Sequence, residues 1–331
     1  MNPELRQDLV SGDWILIAPG RHRRVQQFKE TGKRLIPSKK DCPLENWEEK
    51  NNREAILKHP KGKNWRIQVI PNIYPAVMPS PSGSRSPKIK KRGPFATLPA
   101  FGYHEVIVTR DHLNNFPRLK PSEAALVFQT FKERYLAISR DQKLTYISIF
   151  QNWGAKAGSS IYHPHYQLLA IPVLPPDIAR SLEGSQNYFR KHKACVHCIQ
   201  IAWEKKEKKR VVYETKNAIA FLPFVGREPF EMRVFPKSHS PFFEESTDGL
   251  LRAVAEVLSK SLKKLERSLK LPDYNFYIHT APLRNRNRYH QYHWHVEIIP
   301  RTTISAGFEL GSGIEINPVD PDEAALLLAK N

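Results

Sequence analysis

The residues of this chain best suited to chemistry form the segment His163-Pro164-His165-Tyr166-Gln167, which follows a small polar loop. In a β-strand, residues two apart point to the same face, so both histidines and the glutamine would project side by side. An imidazole is neutral and nucleophilic near pH 7, and Nε2 keeps its lone pair for attack on phosphorus if a backbone carbonyl holds Nδ1–H. The loop contains Gly158, Ser159 and Ser160.

This pattern predicts a phosphate-binding loop beside a nucleophile, and hence a covalent phosphohistidine. Two histidines on a strand are, taken alone, more often buried core residues or metal ligands. The adjoining Gly and Ser residues and Gln167 favour the catalytic interpretation.

A second segment of the same kind, His293-Trp294-His295, lies near the C-terminus and also runs into an Ile-Pro pair. His112 precedes the first segment and His239 precedes the second by nearly equal intervals. Matched spacing of this kind predicts an internal repeat.

The elements between these histidines are also repeated. Apolar residues recur at helical spacing over 121–141 and 250–269, and short β-like runs at 105–108 and 231–235 come before them. We therefore predict an α+β fold with two tandem domains, 1–180 and 181–331, each an antiparallel sheet carrying one long helix.

The second half also contains a set of side chains suited to a closed structural zinc site. Zn²⁺ takes four Cys or His ligands in such sites, often with two cysteines in a C-x-x-C spacing. The predicted ligands are Cys195, Cys198, His239 and His293.

Composition indicates a soluble intracellular protein. The chain has 331 residues, of which 40% are hydrophobic, and this is enough to fill two cores. No apolar signal-like segment and no run long enough to span a bilayer occurs, so we expect a cytoplasmic location and no membrane partner. Two of the three cysteines lie in C-x-x-C, which fits metal ligation better than disulfides.

The formal net charge is +19 and the pI is about 9.8, so the surface should attract polyanions. A basic nucleotide-binding or nucleic-acid-binding protein, with histidines that serve only metal, is therefore an alternative function. No zinc-finger, RNP or recognition-helix pattern makes nucleic-acid binding specific. We favour a solvated basic exterior around a site that handles anions.

In their order and spacing, several motifs along nearly the whole chain resemble the galactose-1-phosphate uridylyltransferase family, the double-domain transferase branch of the histidine-triad superfamily. They are the Glu4–Asp8 and Trp14–Arg21 segments, Pro71-Asn72-Ile73-Tyr74-Pro75, Gly102-Tyr103-His104-Glu105, the His-Pro-His-x-Gln strand and Gly307-Phe308-Glu309. The resemblance implies two histidine-triad-like domains and a ping-pong nucleotidyl transfer between a nucleotide sugar and a sugar 1-phosphate.

By this resemblance, His165 attacks the α-phosphorus and holds the nucleotidyl group, with His163 beside it. Gln167 donates a hydrogen bond to a non-bridging phosphoryl oxygen, where histidine-triad hydrolases carry a third histidine. Ser159, Ser160 and the amides around Gly158 bind phosphate oxygens.

The same resemblance assigns further substrate contacts. Arg21 and Arg24 match an arginine cluster that faces the diphosphate, and Asn72 and Asn152 match nucleotide contacts. Glu309 matches an acid that binds sugar hydroxyls, commonly reached from the partner subunit of a homodimer. Phe308 replaces a tyrosine found in some members, which weakens a choice of galactose.

The resemblance also implies a metal site in the first half, where the family's C-x-x-C appears as Cys42-Pro43-Leu44-Glu45, followed by His112 and His163. Glu45 stands in place of the second thiolate. A carboxylate can bind zinc, but the loop can equally have lost its metal. Some members hold iron at the second site with different residues, and His279 and His295 are the alternative ligands here.

The leading prediction is transfer of UMP from UDP-glucose to galactose 1-phosphate. A close alternative is an ADP-glucose phosphorylase reaction, in which inorganic phosphate accepts the nucleotidyl group. The segment from Ala306 to Gly313, followed by Asn317-Pro318-Val319, resembles that branch at least as well.

Overall fold

The computed structural model describes residues 2–21, 36–80 and 88–330. Its strands, in chain order, are β1 (Glu4–Gln7), β2 (Trp14–Ile17), β3 (Leu57–His59), β4 (Ile67–Pro71), β5 (Lys90–Arg92), β6 (Phe95–Thr97), β7 (Tyr103–Thr109), β8 (Tyr146–Trp153), β9 (His165–Ile171), β10 (Val211–Glu214), β11 (Ala218–Phe221), β12 (Met232–Pro236), β13 (Tyr274–His279), β14 (His295–Pro300) and β15 (Ile316–Asn317). Its α-helices are α1 (Trp47–Asn51), α2 (Pro121–Ile138), α3 (Pro176–His192), α4 (Val196–Glu207), α5 (Asp248–Leu269), α6 (Gly307–Ser312) and α7 (Pro321–Ala329).

The centre of the fold is a ten-stranded antiparallel sheet with the order β10-β11-β12-β14-β13-β8-β9-β7-β4-β3. From the outer edge to the middle, one half has the order β3-β4-β7-β9-β8 and the other has the order β10-β11-β12-β14-β13. The two halves therefore share one topology, in which β9 corresponds to β14 and β8 to β13. This confirms the predicted α+β class and the repeated organisation.

The halves are joined because β8 and β13 pair edge to edge, which removes the free edge that each five-stranded half would otherwise expose. The predicted domain boundary at residue 180 falls inside α3 and stays a prediction.

The two long helices begin and end close to the predicted residues. α2 ends at Ile138 rather than residue 141, because the chain turns there and the Asp141 amide donates to the Ile138 carbonyl. α5 begins at Asp248, before the predicted residue 250, because Thr247 Oγ1 caps its first turn by accepting from the Leu250 amide.

α2 and α5 pack together on one face of the sheet, and this is where the main core lies. Phe128 and Leu262 of these helices meet Tyr166, Leu168 and Phe276 from the strands. Because strand residues alternate between faces, the neighbours of Tyr166 in β9 point to the opposite face of the sheet. The core helices therefore leave that face free for the predicted active site.

The chain ends are tied together by a smaller sheet, in which β15 runs parallel to β2 and β2 pairs with β1. Among the helices of the described ranges, none is long and apolar enough to cross a membrane.

Candidate active site

His165 is the first residue of β9 and is only 8% exposed. Its Nδ1 lies 2.8 Å from the backbone carbonyl of His163. A carbonyl oxygen only accepts, so Nδ1 carries the hydrogen and Nε2 of the neutral ring keeps its lone pair. Burial also lowers the pKa of His165, which favours the neutral ring. The condition for nucleophilic attack is thus present in the structure.

The loop before β9 is tightly folded on itself. Residues 155–157 form a 3₁₀ turn between Gly154 (φ 90°) and Gly158 (φ 83°), and both positions suit glycine because φ is positive. Both donors of Ser159 form hydrogen bonds inside the loop. Its Oγ donates to the Ile161 carbonyl at 2.8 Å, and its amide donates to the Gly154 carbonyl at 3.1 Å. Ser160 is exposed and makes no hydrogen bond within the described residues, so its hydroxyl and amide are available to a ligand.

Strand β13 of the second half anchors this loop, which sequence reasoning did not anticipate. Asn275 Nδ2 donates to the Ala157 carbonyl at 2.8 Å and to Asn152 Oδ1 at 2.8 Å. Asp273 Oδ2 accepts from the Lys156 amide at 2.8 Å. Because its Oδ1 is occupied, Asn152 has Nδ2 left to donate to a ligand.

A cavity of about 340 Å³ opens beside Asn152. Its volume suits a sugar or base ring, and it is lined by aromatic, amide and charged side chains. The lining includes Phe150, Asn152, Asn275, Tyr277, Arg227, Glu228, Arg301 and Glu315.

The predicted second metal set comes together in the structure. The four ligand atoms of Cys195, Cys198, His239 and His293 all lie within 4.8 Å of one another. Cys198 Sγ is 3.4 Å from His239 Nδ1 and 3.5 Å from His293 Nδ1. Each ring donates Nε2–H to a backbone carbonyl, His239 to His290 and His293 to Pro236, so both Nδ1 lone pairs face the sulfur atoms.

The first-half set also converges: Cys42, His112 and His163 form one group, and Glu45 lies beside its two histidines. His112 Nδ1 lies 3.3 Å from His163 Nδ1, which lies 3.6 Å from Cys42 Sγ. Glu45 Oε1 is buried without a hydrogen-bond partner, 3.2 Å from His112 Nδ1 and 3.5 Å from His163 Nδ1. Ligands about 2.0–2.3 Å from a tetrahedral zinc are about 3.3–3.7 Å apart, so these donors fit a metal.

His279 and His295, the alternative ligands, belong to a separate group with Glu297, in which His295 is buried and the other two are half-buried. His295 corresponds to His165 in the repeat and likewise donates Nδ1–H to the preceding histidine carbonyl, at 3.0 Å. Its ring is packed against Phe235 at a centroid distance of 4.8 Å. In the second half, the counterpart of the candidate site is therefore occupied by side chains, with His197, Phe235 and His279 around the His295 ring.

The remaining predicted residues are more dispersed. Arg21 is exposed at the end of a 3₁₀ turn, and Arg24 lies outside the described residues. Asn72 follows β4, next to His104 on β7, a residue whose contacts sequence reasoning missed although it lies in a quoted motif. Phe308 and Glu309 are on α6, and no hydrogen bond in the described ranges joins them to the residues around His165.

The chain matches known proteins over almost its whole length. A family described as Domain of unknown function (DUF4921) matches residues 53–328. ADP-glucose phosphorylase of Arabidopsis thaliana is 32% identical over 332 residues, covering 99% of this chain and 92% of that protein. Galactose-1-phosphate uridylyltransferase of Thermotoga maritima is 28% identical over 333 residues, covering 97% and 96%.

Solved structures agree with the sequence relatives. The crystal structure of the Arabidopsis thaliana ADP-glucose phosphorylase with bound ADP-glucose has a TM-score of 0.84 and 29% identity, covering 100% of this chain and 99% of that one. A structure described as uridylyltransferase has a TM-score of 0.75 and 26% identity, covering 99% and 97%. The chain therefore belongs to the galactose-1-phosphate uridylyltransferase family, a family of nucleotidyltransferases that includes ADP-glucose phosphorylase.

Proposed function

We propose that this chain is a nucleotidyltransferase that works through a covalent nucleotidyl group on His165. The observation that carries the proposal is the Nδ1–H bond to the His163 carbonyl, which leaves Nε2 as the free nitrogen. The Nε2 lone pair forms a bond to the α-phosphorus, and the bond to the bridging oxygen breaks, so that sugar 1-phosphate leaves with those electrons. An oxygen of the acceptor then attacks the same phosphorus and the Nε2–P bond breaks, which restores His165.

We propose ADP-glucose as the donor and inorganic phosphate as the acceptor. The 32% identity to ADP-glucose phosphorylase over 99% of the chain and the TM-score of 0.84 support this reaction. The first prediction from the sequence, transfer of UMP from UDP-glucose to galactose 1-phosphate, becomes the second candidate. The 28% identity to the Thermotoga maritima enzyme over 97% of the chain supports it.

The surrounding side chains have roles that suit both reactions. Gln167 and Ser160 donate to phosphoryl oxygens, and Asn152 and Asn72 contact the nucleotide. Arg21 and Arg24 balance the charge of the diphosphate, since a guanidinium offers paired donors to phosphate.

The two metal sets have a structural role in this proposal. Zn²⁺, or iron as the alternative at the second site, would fix the position of the loops that carry its ligands. His163 belongs to the first set and its carbonyl holds His165, so that metal would also fix the position of the nucleophile.

We further propose that the active protein is a homodimer in which Glu309 and Phe308 reach the partner's site. The segment 304–310, which contains both residues, carries exposed apolar side chains that support a protein contact. Ile304 is 80%, Phe308 51% and Leu310 78% exposed.

The proposal is tested by incubating the chain with ADP-glucose or UDP-glucose without an acceptor, then recording intact mass and released glucose 1-phosphate. The control is His165→Asn, whose amide Nδ2–H still reaches the His163 carbonyl but offers no nucleophile. An adenylyl adduct absent from the variant supports the phosphorylase reaction, and a uridylyl adduct supports the second candidate. No adduct with either sugar would overturn the transferase proposal in favour of a nucleotide-binding protein.

A further inference from the structure

The ring of His104 is held in one tautomer by the backbone. The Ala76 amide lies 3.1 Å from His104 Nδ1, and a backbone N–H only donates. Nδ1 must therefore be the unprotonated nitrogen, and the neutral ring carries its hydrogen on Nε2.

This hydrogen decides which way the amide of Gln167 faces. His104 Nε2 lies 2.9 Å from Gln167 Oε1. Of the two polar atoms of the Gln167 amide, only the oxygen can accept the hydrogen that His104 Nε2 donates. The two donors on Gln167 Nε2 are therefore directed away from His104. Gln167 and His165 lie on the same face of β9. Donors directed away from His104 are therefore the ones that an oxygen of a phosphoryl group on His165 would need.

Asn72 also contacts His104 Nε2, and its own amide is held in one orientation by the backbone. Its Nδ2 is 3.1 Å from His104 Nε2, while its Oδ1 accepts from the Tyr74 amide at 2.9 Å. The opposite tautomer would accept from Asn72 but lose the hydrogen bonds to Ala76 and Gln167. The Nε2–H tautomer keeps two of the three contacts and leaves Asn72 Nδ2 as a donor for a ligand.

We propose that His104 is a positioning residue, which orients the Gln167 amide so that both of its donors face the transferring phosphoryl group. The role in catalysis rests on the proposed nucleotidyl transfer through His165. The arrangement of the two side chains can be measured without that activity.

The tautomer is tested directly by ¹⁵N NMR of histidine-labelled protein, with the His104 signals assigned by their loss in His104→Asn. We expect a protonated Nε2 and an unprotonated Nδ1. A proton on Nδ1 would overturn the proposal whatever the enzyme does. If wild-type protein forms no adduct with either nucleotide sugar, the proposed function fails, and this spectrum still decides the His104 arrangement.

The catalytic consequence is tested with two complementary variants. His104→Asn keeps an acceptor for Ala76 but has no donor that reaches Gln167, whereas His104→Gln keeps a donor at the position of Nε2. We expect the rate of adduct formation at saturating nucleotide sugar to fall about tenfold to a hundredfold in His104→Asn and to recover largely in His104→Gln.

The same substitution in a Gln167→Ala background separates positioning from general structural damage. If His104 acts through Gln167, His104→Asn changes the rate of Gln167→Ala by less than about twofold. A wild-type rate in His104→Asn, or an equal loss in both backgrounds, would overturn the proposal.

Discussion

Asn275 in the second half of the chain donates its side-chain amide to Asn152 Oδ1 in the first half, across 2.8 Å. The same nitrogen holds the Ala157 carbonyl of the loop. The position of the proposed phosphate loop therefore depends on the pairing of β8 with β13 in the middle of the sheet.

We predict that Asn275→Ala weakens nucleotide-sugar binding about tenfold, because Asn152 loses its fixed orientation and the loop loses an anchor. Isothermal titration of ADP-glucose into His165→Asn protein, with and without Asn275→Ala, measures this without turnover. The exposed Asn187→Ala on α3 is the matched control. Unchanged affinity in the Asn275 variant would show that the loop does not need this anchor.

Gly154 is the position in the loop where a side chain should be least tolerated. A Cβ there would lie 2.0 Å from Asp273 Oδ1, and φ is +90°. Gly154→Ala should lower the free energy of unfolding by about 2–3 kcal/mol, as backbone strain adds to the displaced Asp273–Lys156 hydrogen bond.

Gly62→Ala is the control for this prediction, since Gly62 has φ +95° and nothing within 4 Å of its Cβ position. Urea unfolding of both variants should give the smaller loss for Gly62→Ala, about 1–2 kcal/mol. Equal losses would mean that the contact with Asp273 adds nothing.

These contacts show what the sequence could and could not predict. The alternation of residues in a strand was enough to place His165 and Gln167 on one face, and ligand chemistry was enough to group Cys195 with His239. The same alternation was wrong for His163, which precedes β9 and turns its ring towards Cys42 and His112. The Asn275–Asn152 bond was not predictable, because it depends on the register between strands far apart in sequence. Likewise, the role of His104 depends on which backbone amide meets its ring.

The first metal set gives a sharp test of Glu45. We predict two zinc ions per chain by elemental analysis, and one in Glu45→Gln, because a neutral amide is a poor ligand for zinc. Glu45→Cys should restore the second ion by completing a C-x-x-C set with Cys42. Cys198→Ser should lose the ion of the other set instead.

Removal of metal should also destabilise the fold, since the first set joins three separate loops and the second joins the start of α4 to two loops. A chelator should therefore lower the midpoint of thermal unfolding of the wild type more than that of Glu45→Gln. Two ions in Glu45→Gln would contradict the assignment of Glu45, and iron in the analysis would identify the alternative metal.

Glu228, in the cavity beside Asn152, should make stability depend on pH. Burial raises its pKa from the ordinary 4.5 to about 7. Below pH 4.5 the carboxyl is protonated in both folded and unfolded chains. As pH rises from 4.5 to about 7, the unfolded chain loses this proton while the folded chain keeps it, so stability falls over this range and levels off above it.

Glu228→Gln has no such loss and can still accept from Thr303 Oγ1. We predict that it is more stable than the wild type at pH 8 by about 3 kcal/mol, with little difference at pH 4.5, because the pKa shift from 4.5 to about 7 contributes about 1.4 kcal/mol per unit. Urea unfolding at both values measures this, with the exposed Glu183→Gln as control. A difference that is the same at both pH values would contradict the raised pKa.

The proposed homodimer can be tested by complementation between two inactive chains. His165→Asn lacks the nucleophile and Glu309→Ala lacks the sugar contact that a partner would supply. If Glu309 acts in the partner's site, a hybrid dimer contains one site with both wild-type residues. Since half of randomly mixed dimers are hybrids, an equimolar mixture refolded together should regain about a quarter of wild-type activity. Activity that stays at the level of the separate variants would place Glu309 in the site of its own chain, and sedimentation velocity of the wild type checks that dimers are present.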